Sequence, residues 1–292
     1  MSGQRPIIAF LYDFDKTLCT TDMQNYAFIP SLGMTPAEFW AEANGFGREH
    51  RIDAVLAMYI MLREAERKNL PFTREDLVEK GRGIELFPGV EDWFRRIDAF
   101  GGTQGVQVEH YVISSGLREI IEGSPISGAF REIYASEFYY DGTGRPVWPK
   151  LAVNFTAKTQ FVYRINKGVL DVSDDKTLND SMPDDSKRVP FTNMIYMGDG
   201  LSDVPCMKMM RAYGGQAIAV YQSGNRAGVE ELLAKRRVDF IFPADYREGT
   251  GLDETVKNII RKMATADRLW EENARQLRHL GEDVLPDQVE LF

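Results

Sequence analysis

Five strand-length apolar runs set the framework of this 292-residue chain, at positions 6–12, 107–113, 193–197, 217–221 and 239–242. Each is apolar at consecutive rather than alternate positions, so each has to be covered on both faces. Segments of helical periodicity lie between them. A parallel sheet held between two helix layers meets both conditions, and the predicted fold class is α/β, a doubly wound parallel sheet. The stretch 22–86 interrupts the alternation. Ile52, Val55, Leu56, Tyr59, Leu62 and Ala65 follow helix spacing there, Thr35-Pro36 reads as an N-cap with proline in the first turn, and Thr73 with Asp76 marks a further start. We expect an all-helical domain over 22–86, inserted into an α/β core made of 1–21 and 87–292. A β-hairpin near 136–153, a solvated acidic loop at 171–190 and a C-terminal helix over 252–280 complete the predicted core.

Composition narrows the function. A hydrophobic fraction of 43% supplies a real core, and a net charge of −9 disfavours a broad nucleic-acid surface. Cys19 and Cys206 alone cannot build a disulfide framework or a cysteine-rich zinc site, and three histidines make a histidine metal site improbable. The first apolar run is too short for a signal peptide or membrane span, so the expected location is cytoplasmic, with no membrane partner.

The chemistry-bearing residues follow the apolar runs. The first run ends in Asp13-Phe14-Asp15-Lys16-Thr17. Two carboxylates one residue apart repel each other, and a divalent cation would relieve the repulsion; an Asp-rich turn is the plainer account. The second run enters Ser114-Ser115-Gly116, where a hydroxyl and free N–H groups at a predicted helix start can hold a phosphate oxygen. Lys158 opens an apolar-patterned helix and is otherwise a surface lysine. The third run ends in Gly198-Asp199-Gly200, with Asp203 four residues after Asp199. The loop at 171–190 carries six Asp and imitates a calcium loop, but Lys176 stands at the turn glycine and Met182 at the bidentate acid.

Taken in order, Asp13-x-Asp15-x-Thr17, Ser114, Lys158 and Gly198-Asp199-Gly200-x-x-Asp203 resemble the four motifs of haloacid dehalogenase (HAD) superfamily hydrolases. The likeness is greatest to the phosphoserine-phosphatase-like branch with a helical C1-type cap, and it covers roughly 5–21 and 87–245. The resemblance implies a phosphomonoester hydrolase that uses Mg2+ and passes through an aspartyl-phosphate. Asp13 would be the nucleophile, Asp15 the acid and base, and Thr17 their helper. Ser114, preferred to Ser115 because it directly follows the apolar run, would hold the phosphoryl group with the N–H of Ser115 or Gly116. Lys158, preferred to Lys167, would neutralise charge between nucleophile and phosphate. Asp13, Asp15 through its carbonyl, and Asp199 would bind the metal, and Asp203 would hold a metal-bound water or orient Lys158.

An acid at position 15 points to phosphate esters rather than halides. Asp15-Lys16-Thr17 also matches part of the P-type ATPase signature, but Leu18 stands where those proteins carry Gly. In the inserted domain, Asp22 falls near the position of a substrate-reading Glu, and Arg48 and Arg51 are candidates for a substrate-reading Arg. Val55-Leu56-Ala57-Met58 is apolar where that Arg would be expected. Helix-bundle core is the plainer account of this patch; the sharper expectation is a substrate with an apolar or aromatic portion. The expected partner is a small phosphate ester, and the chain a monomer or homodimer. A phosphotransferase using the same intermediate and a non-catalytic HAD-fold binding protein are the alternatives.

Overall fold

The structure, a computed structural model, describes residues 5–222 and 224–279. Seven strands form one sheet: β1 (Ile7–Tyr12), β2 (Gln107–Leu117), β3 (Glu132–Tyr140), β4 (Pro146–Leu151), β5 (Met194–Gly198), β6 (Gln216–Tyr221) and β7 (Phe240–Pro243), in the order β4-β3-β2-β1-β5-β6-β7. All neighbours are parallel except β3 and β4, which form the predicted hairpin. β1 is central. The chain builds outward from it on one side through β2 and β3, then on the other through β5, β6 and β7. The crevice at the carboxyl ends of β1 and β5 is therefore the place where sheets of this kind bind ligands.

Helices follow in chain order: α1 (Phe28–Ser31), α2 (Pro36–His50), α3 (Leu56–Arg67), α4 (Arg74–Gly81), α5 (Val90–Thr103), α6 (Arg118–Gly123), α7 (Lys158–Lys167), α8 (Asp175–Asn179), α9 (Val204–Ala212), α10 (Arg226–Ala234) and α11 (Gly251–His279). Position 280, the last of the predicted C-terminal helix, lies outside the described residues. The consecutive apolar residues of β1 divide between two cores, as the two-residue period of a strand requires. Ile8, Phe10 and Tyr12 pack with α5, α6, α11 and the helices inserted after β1. Ile7, Ala9 and Leu11 pack with α7, α9 and α10. Each large side chain so buried contributes about 1.5–3 kcal/mol. Among the described residues no helix is long and apolar enough to cross a membrane.

The inserted helices leave and rejoin the sheet at one place. Thr20 N–H donates to the Glu85 carbonyl (3.0 Å), Phe87 N–H donates to the Leu18 carbonyl (3.0 Å), and Cys19 bridges Leu86, so the outgoing and returning chains lie side by side. Both predicted helix starts in the insertion are capping boxes. Thr35 pairs reciprocally with Glu38, and Thr73 with Asp76. The last inserted helix, α4, crosses α6 backbone to backbone. A Cβ on Gly123 would lie 1.8 Å from the Val78 carbonyl oxygen, and one on Gly81 would lie 2.0 Å from that of Ile120.

Two local expectations are corrected. The Ser-Ser-Gly segment is not a turn before a helix. β2 runs on through it to Leu117, with a register irregularity between Ile113 and Leu117, and α6 starts only at Arg118. The acidic stretch is not wholly loop, because Asp174 caps the short α8 by accepting from Thr177 N–H (3.0 Å). The carbonyls of Asp171 (2.7 Å), Val172 (3.0 Å) and Asp174 (3.3 Å) turn inward onto the buried Arg164 guanidinium of α7. These carbonyls are thereby bonded to a side-chain cation of the protein itself.

Candidate active site

Asp13, Asp199, Lys158 and Asp203 come from strand ends and helix starts and meet at the crevice, while Ser114 lies within β2. Asp13 directly follows β1, and its N–H still donates to the Met197 carbonyl of β5 (2.9 Å), which fixes the residue between the two central strands. The chain then turns sharply. Leu18 N–H donates to the Phe14 carbonyl (2.9 Å), and Lys16 takes a left-handed conformation at φ 57°. That conformation costs a non-glycine residue about 1 kcal/mol and marks a turn held by its surroundings. Asp199 follows Gly198 at the end of β5. A Cβ on Gly198 would lie 2.4 Å from an Asp203 carboxylate oxygen, so only glycine leaves room for Asp203 to fold back beneath the strand end.

Lys158, the first residue of α7, is buried and joins the two sides. Its Nζ donates to Asp13 Oδ1 (2.8 Å) and to Asp203 Oδ1 (2.7 Å), and the Tyr196 hydroxyl donates to the same Asp203 oxygen (2.7 Å). Burial alone would lower the Lys158 pKa, but Asp13 and Asp203 outweigh it and the ammonium is held above its ordinary value. Burial raises the Asp13 carboxyl well above the usual range; Lys158 opposes this, and Asp203 and Asp199 add to it. Asp199 is raised to about 6 by burial first and Asp203 second. Carboxylate oxygens of Asp13, Asp199 and Asp203 lie within 4.8 Å of one another. Three buried or half-buried carboxylates at this spacing, all hard oxygen donors, suit a divalent cation such as Mg2+. Thr17, in the turn after Asp13, has a buried Oγ1 with no hydrogen-bond partner among the described residues.

Asp15 faces the inserted helices. Met23 N–H donates to its Oδ1 (2.8 Å), and burial followed by the charge of Asp22 lifts its carboxyl to about 7. Ser114 is buried and its Oγ accepts from Gly116 N–H (3.0 Å), whereas Ser115 is exposed. Gly116 allows close approach: a Cβ there would lie 2.1 Å from the Met23 methyl carbon and 3.2 Å from Asp15 Oδ2. Asp22 reaches the site but is committed to Lys16, whose Nζ donates to its Oδ1 (2.8 Å). Arg48 and Arg51 are exposed at the end of α2, Arg51 in the left-handed position that stops the helix, and neither is bonded to the acidic cluster. Met58 is buried core, so the plainer account of the apolar patch holds at that residue, while Val55 is exposed.

Sequence reasoning missed three contributors. Lys16 reads as a spacer between Asp15 and Thr17. Tyr196 reads as one more apolar strand residue. Asn154 has no motif around it, yet its Oδ1 accepts from Ala157 N–H (3.2 Å), its carbonyl accepts from Lys158 N–H (3.1 Å), and its side-chain amide donates to Asp53 Oδ2 of the insertion (2.9 Å).

A central parallel sheet with this motif order, a helical insertion after β1 and an acidic cluster at the switch point define the HAD fold. The chain has that fold in its phosphoserine-phosphatase-like form. It is similar to a HAD family hydrolase from Salmonella enterica subsp. enterica serovar Typhi, with a TM-score of 0.55 and 14% identity over 87% of this chain and 72% of the other. It is also similar to a phosphoserine phosphatase in apo form, with a TM-score of 0.51 and 15% identity over 82% of this chain and 96% of that one. A probable phosphoserine phosphatase from Vibrio cholerae matches with a TM-score of 0.53 and 13% identity over 89% of this chain and 66% of that one. In sequence, an uncharacterized protein of Borreliella burgdorferi is 27% identical over 285 residues, covering 86% of this chain and 96% of the relative. No family model matches the chain.

Proposed function

We propose that the protein is a Mg2+-dependent phosphomonoesterase acting on a small phosphate ester through an aspartyl-phosphate on Asp13. The observation that carries this reading is the buried Lys158 ammonium shared by Asp13 and Asp203, with Asp15 two residues from Asp13 at the same strand end. Asp13 attacks phosphorus, the bond from phosphorus to the leaving oxygen breaks, and that oxygen takes a proton from Asp15. The Asp15 carboxylate then removes a proton from water as the water attacks phosphorus. Free phosphate leaves and Asp13 is restored. Ser114 and the N–H group of Ser115 hold the phosphoryl oxygens, Gly116 N–H being taken up by Ser114 Oγ (3.0 Å), and Lys158 offsets charge between them and Asp13. Asp13, the Asp15 carbonyl and Asp199 would hold Mg2+, which when bound offsets the repulsion between carboxylate and phosphate. Asp203 Oδ1 already accepts from Lys158 and Tyr196, which favours the orienting role for Asp203. Residues 22–86 act as a cap, supported by the Asp53–Asn154 bond that ties the insertion to the turn before Lys158.

The test is phosphate release from a panel of phosphomonoesters. Release is expected with Mg2+, and its loss on chelation should be reversed by added Mg2+. Chelator-resistant release would remove the metal from the mechanism, and no release from any ester would remove the activity. The acid role of Asp15 has its own signature. A general acid acts only while protonated, and Asp15 sits at about 7. For ethyl phosphate, kcat/KM should fall about tenfold per pH unit above that point. For 4-nitrophenyl phosphate, whose leaving group needs no proton, the fall should be absent. Parallel profiles for the two esters would reassign the acid.

A further inference from the structure

The rim of the proposed phosphoryl site carries two large apolar side chains turned to solvent, Phe155 at 56% and Leu201 at 78% exposure. Isolated exposed hydrophobics are ordinary on any protein. These two differ in where the backbone holds them. Leu201 sits in the single turn between Asp199 and Asp203, closed by Asp203 N–H to the Gly200 carbonyl (3.2 Å) and by Gly200 N–H to Asp203 Oδ2 (3.4 Å). Both ends of that turn are fixed by the acidic cluster, so Leu201 cannot withdraw into the core without moving Asp199 or Asp203. Phe155 sits in the equivalent place beside the lysine, in the turn that Asn154 closes onto Ala157 and Lys158. The Asp53–Asn154 bond (2.9 Å) then brings the 53–55 segment of the insertion to the same turn, and with it exposed Val55. Lys16 and Asp22 pair with each other (2.8 Å).

We propose that Phe155 and Leu201, joined by Val55 of the insertion, grip an apolar portion of the leaving group, so that the preferred substrates are phosphomonoesters of aliphatic or aromatic alcohols rather than of small polar ones. This rests on the phosphomonoesterase reading and names its substrate class. Two turns that must be rigid to present Lys158, Asp199 and Asp203 each place an apolar side chain at the tip. A substrate that covers those tips removes their surface from water while its phosphate lies at their base.

Ethyl and hexyl phosphate test this, because they differ by four methylenes and share an alkoxide leaving group. Wild type is expected to favour hexyl over ethyl phosphate by at least about 10-fold in kcat/KM, since each buried methylene adds up to about fourfold in affinity. The double variant Phe155→Ser/Leu201→Ser is expected to bring that ratio close to one while keeping its melting temperature, because both residues are exposed. Dissociation constants of the two esters for Asp13→Asn, with and without the two serines, give the same ratio in the absence of turnover. If neither ester is hydrolysed but hexyl phosphate still binds at least 10-fold tighter through these side chains, the hydrolase reading fails and the apolar rim stands. A wild-type ratio near one, a ratio that survives the double substitution, or no measurable binding of either ester would overturn the proposal.

Discussion

Asp13→Asn is expected to lower kcat by at least about 10^4-fold, while the protein folds and melts nearly as wild type. The substitution keeps the shape of the side chain and an oxygen that can still accept from Lys158 Nζ, which lies 2.8 Å from Asp13 Oδ1. What it removes is the charged oxygen that would form the bond to phosphorus. The environment sharpens the effect. Burial destabilises the Asp13 carboxylate and Lys158 offsets only part of that penalty, so the removed oxygen sits in a place that disfavours anions. Rapid acid quench of wild type turning over a labelled ester should trap phosphate on the protein, and the variant should trap none. Activity within tenfold of wild type would place the nucleophile elsewhere.

Gly123→Ala is the substitution expected to damage the fold most. The added methyl would meet the Val78 carbonyl oxygen at 1.8 Å, and that oxygen belongs to helix backbone, which cannot rotate aside as a side chain could. The α4–α6 crossing would have to open. The surface lost at the junction and the strain together should cost roughly 3 kcal/mol or more, lowering the melting temperature by roughly 5–10 °C. Gly128→Ala is the matched control, because a Cβ there meets nothing within 4 Å. Its effect should stay within about 0.5 kcal/mol. Equal melting temperatures for the two variants would show that the two helices do not approach as closely as the geometry requires.

Much of the architecture was legible because the strands of a doubly wound sheet are apolar on both faces and stop abruptly. The transitions from Tyr12 to Asp13 and from Met197 to Gly198-Asp199 marked both the end of a strand and the residues at the site. Asp13 and Asp199 were legible for the same reason, since both follow the ends of central strands, whereas Lys158, at the start of α7, and Asp203, before α9, were reached only through the resemblance of the ordered motifs. Ser114 to Gly116 was misread because Ser and Gly favour turns locally, whereas pairing with β3 at Ile113 and again at Leu117 carries the strand past them as an irregularity. α8 was missed because a solvated Asp-rich stretch has no apolar face; its order comes from Arg164, an α7 residue distant enough in sequence to give no local signal. The Gly81–Gly123 contact joins residues on two separate helices, and nothing in either neighbourhood announces the other. Lys16 and Tyr196 were passed over because a spacer and a strand residue look ordinary until their hydrogen-bond partners are known.

The adjacent departure and return of the inserted helices, through Thr20 with Glu85 and Leu18 with Phe87, has a consequence for how such a protein diversifies. Because the two ends already meet, the length and content of what lies between them place little demand on the sheet. The insertion behaves as a replaceable cassette. Its helices can be rewritten while the carboxylates and lysine keep their spacing. The exception is the glycine-packed helix at its far end. A transplanted cassette would have to preserve that docking face, or bring its own, to remain seated on the same core.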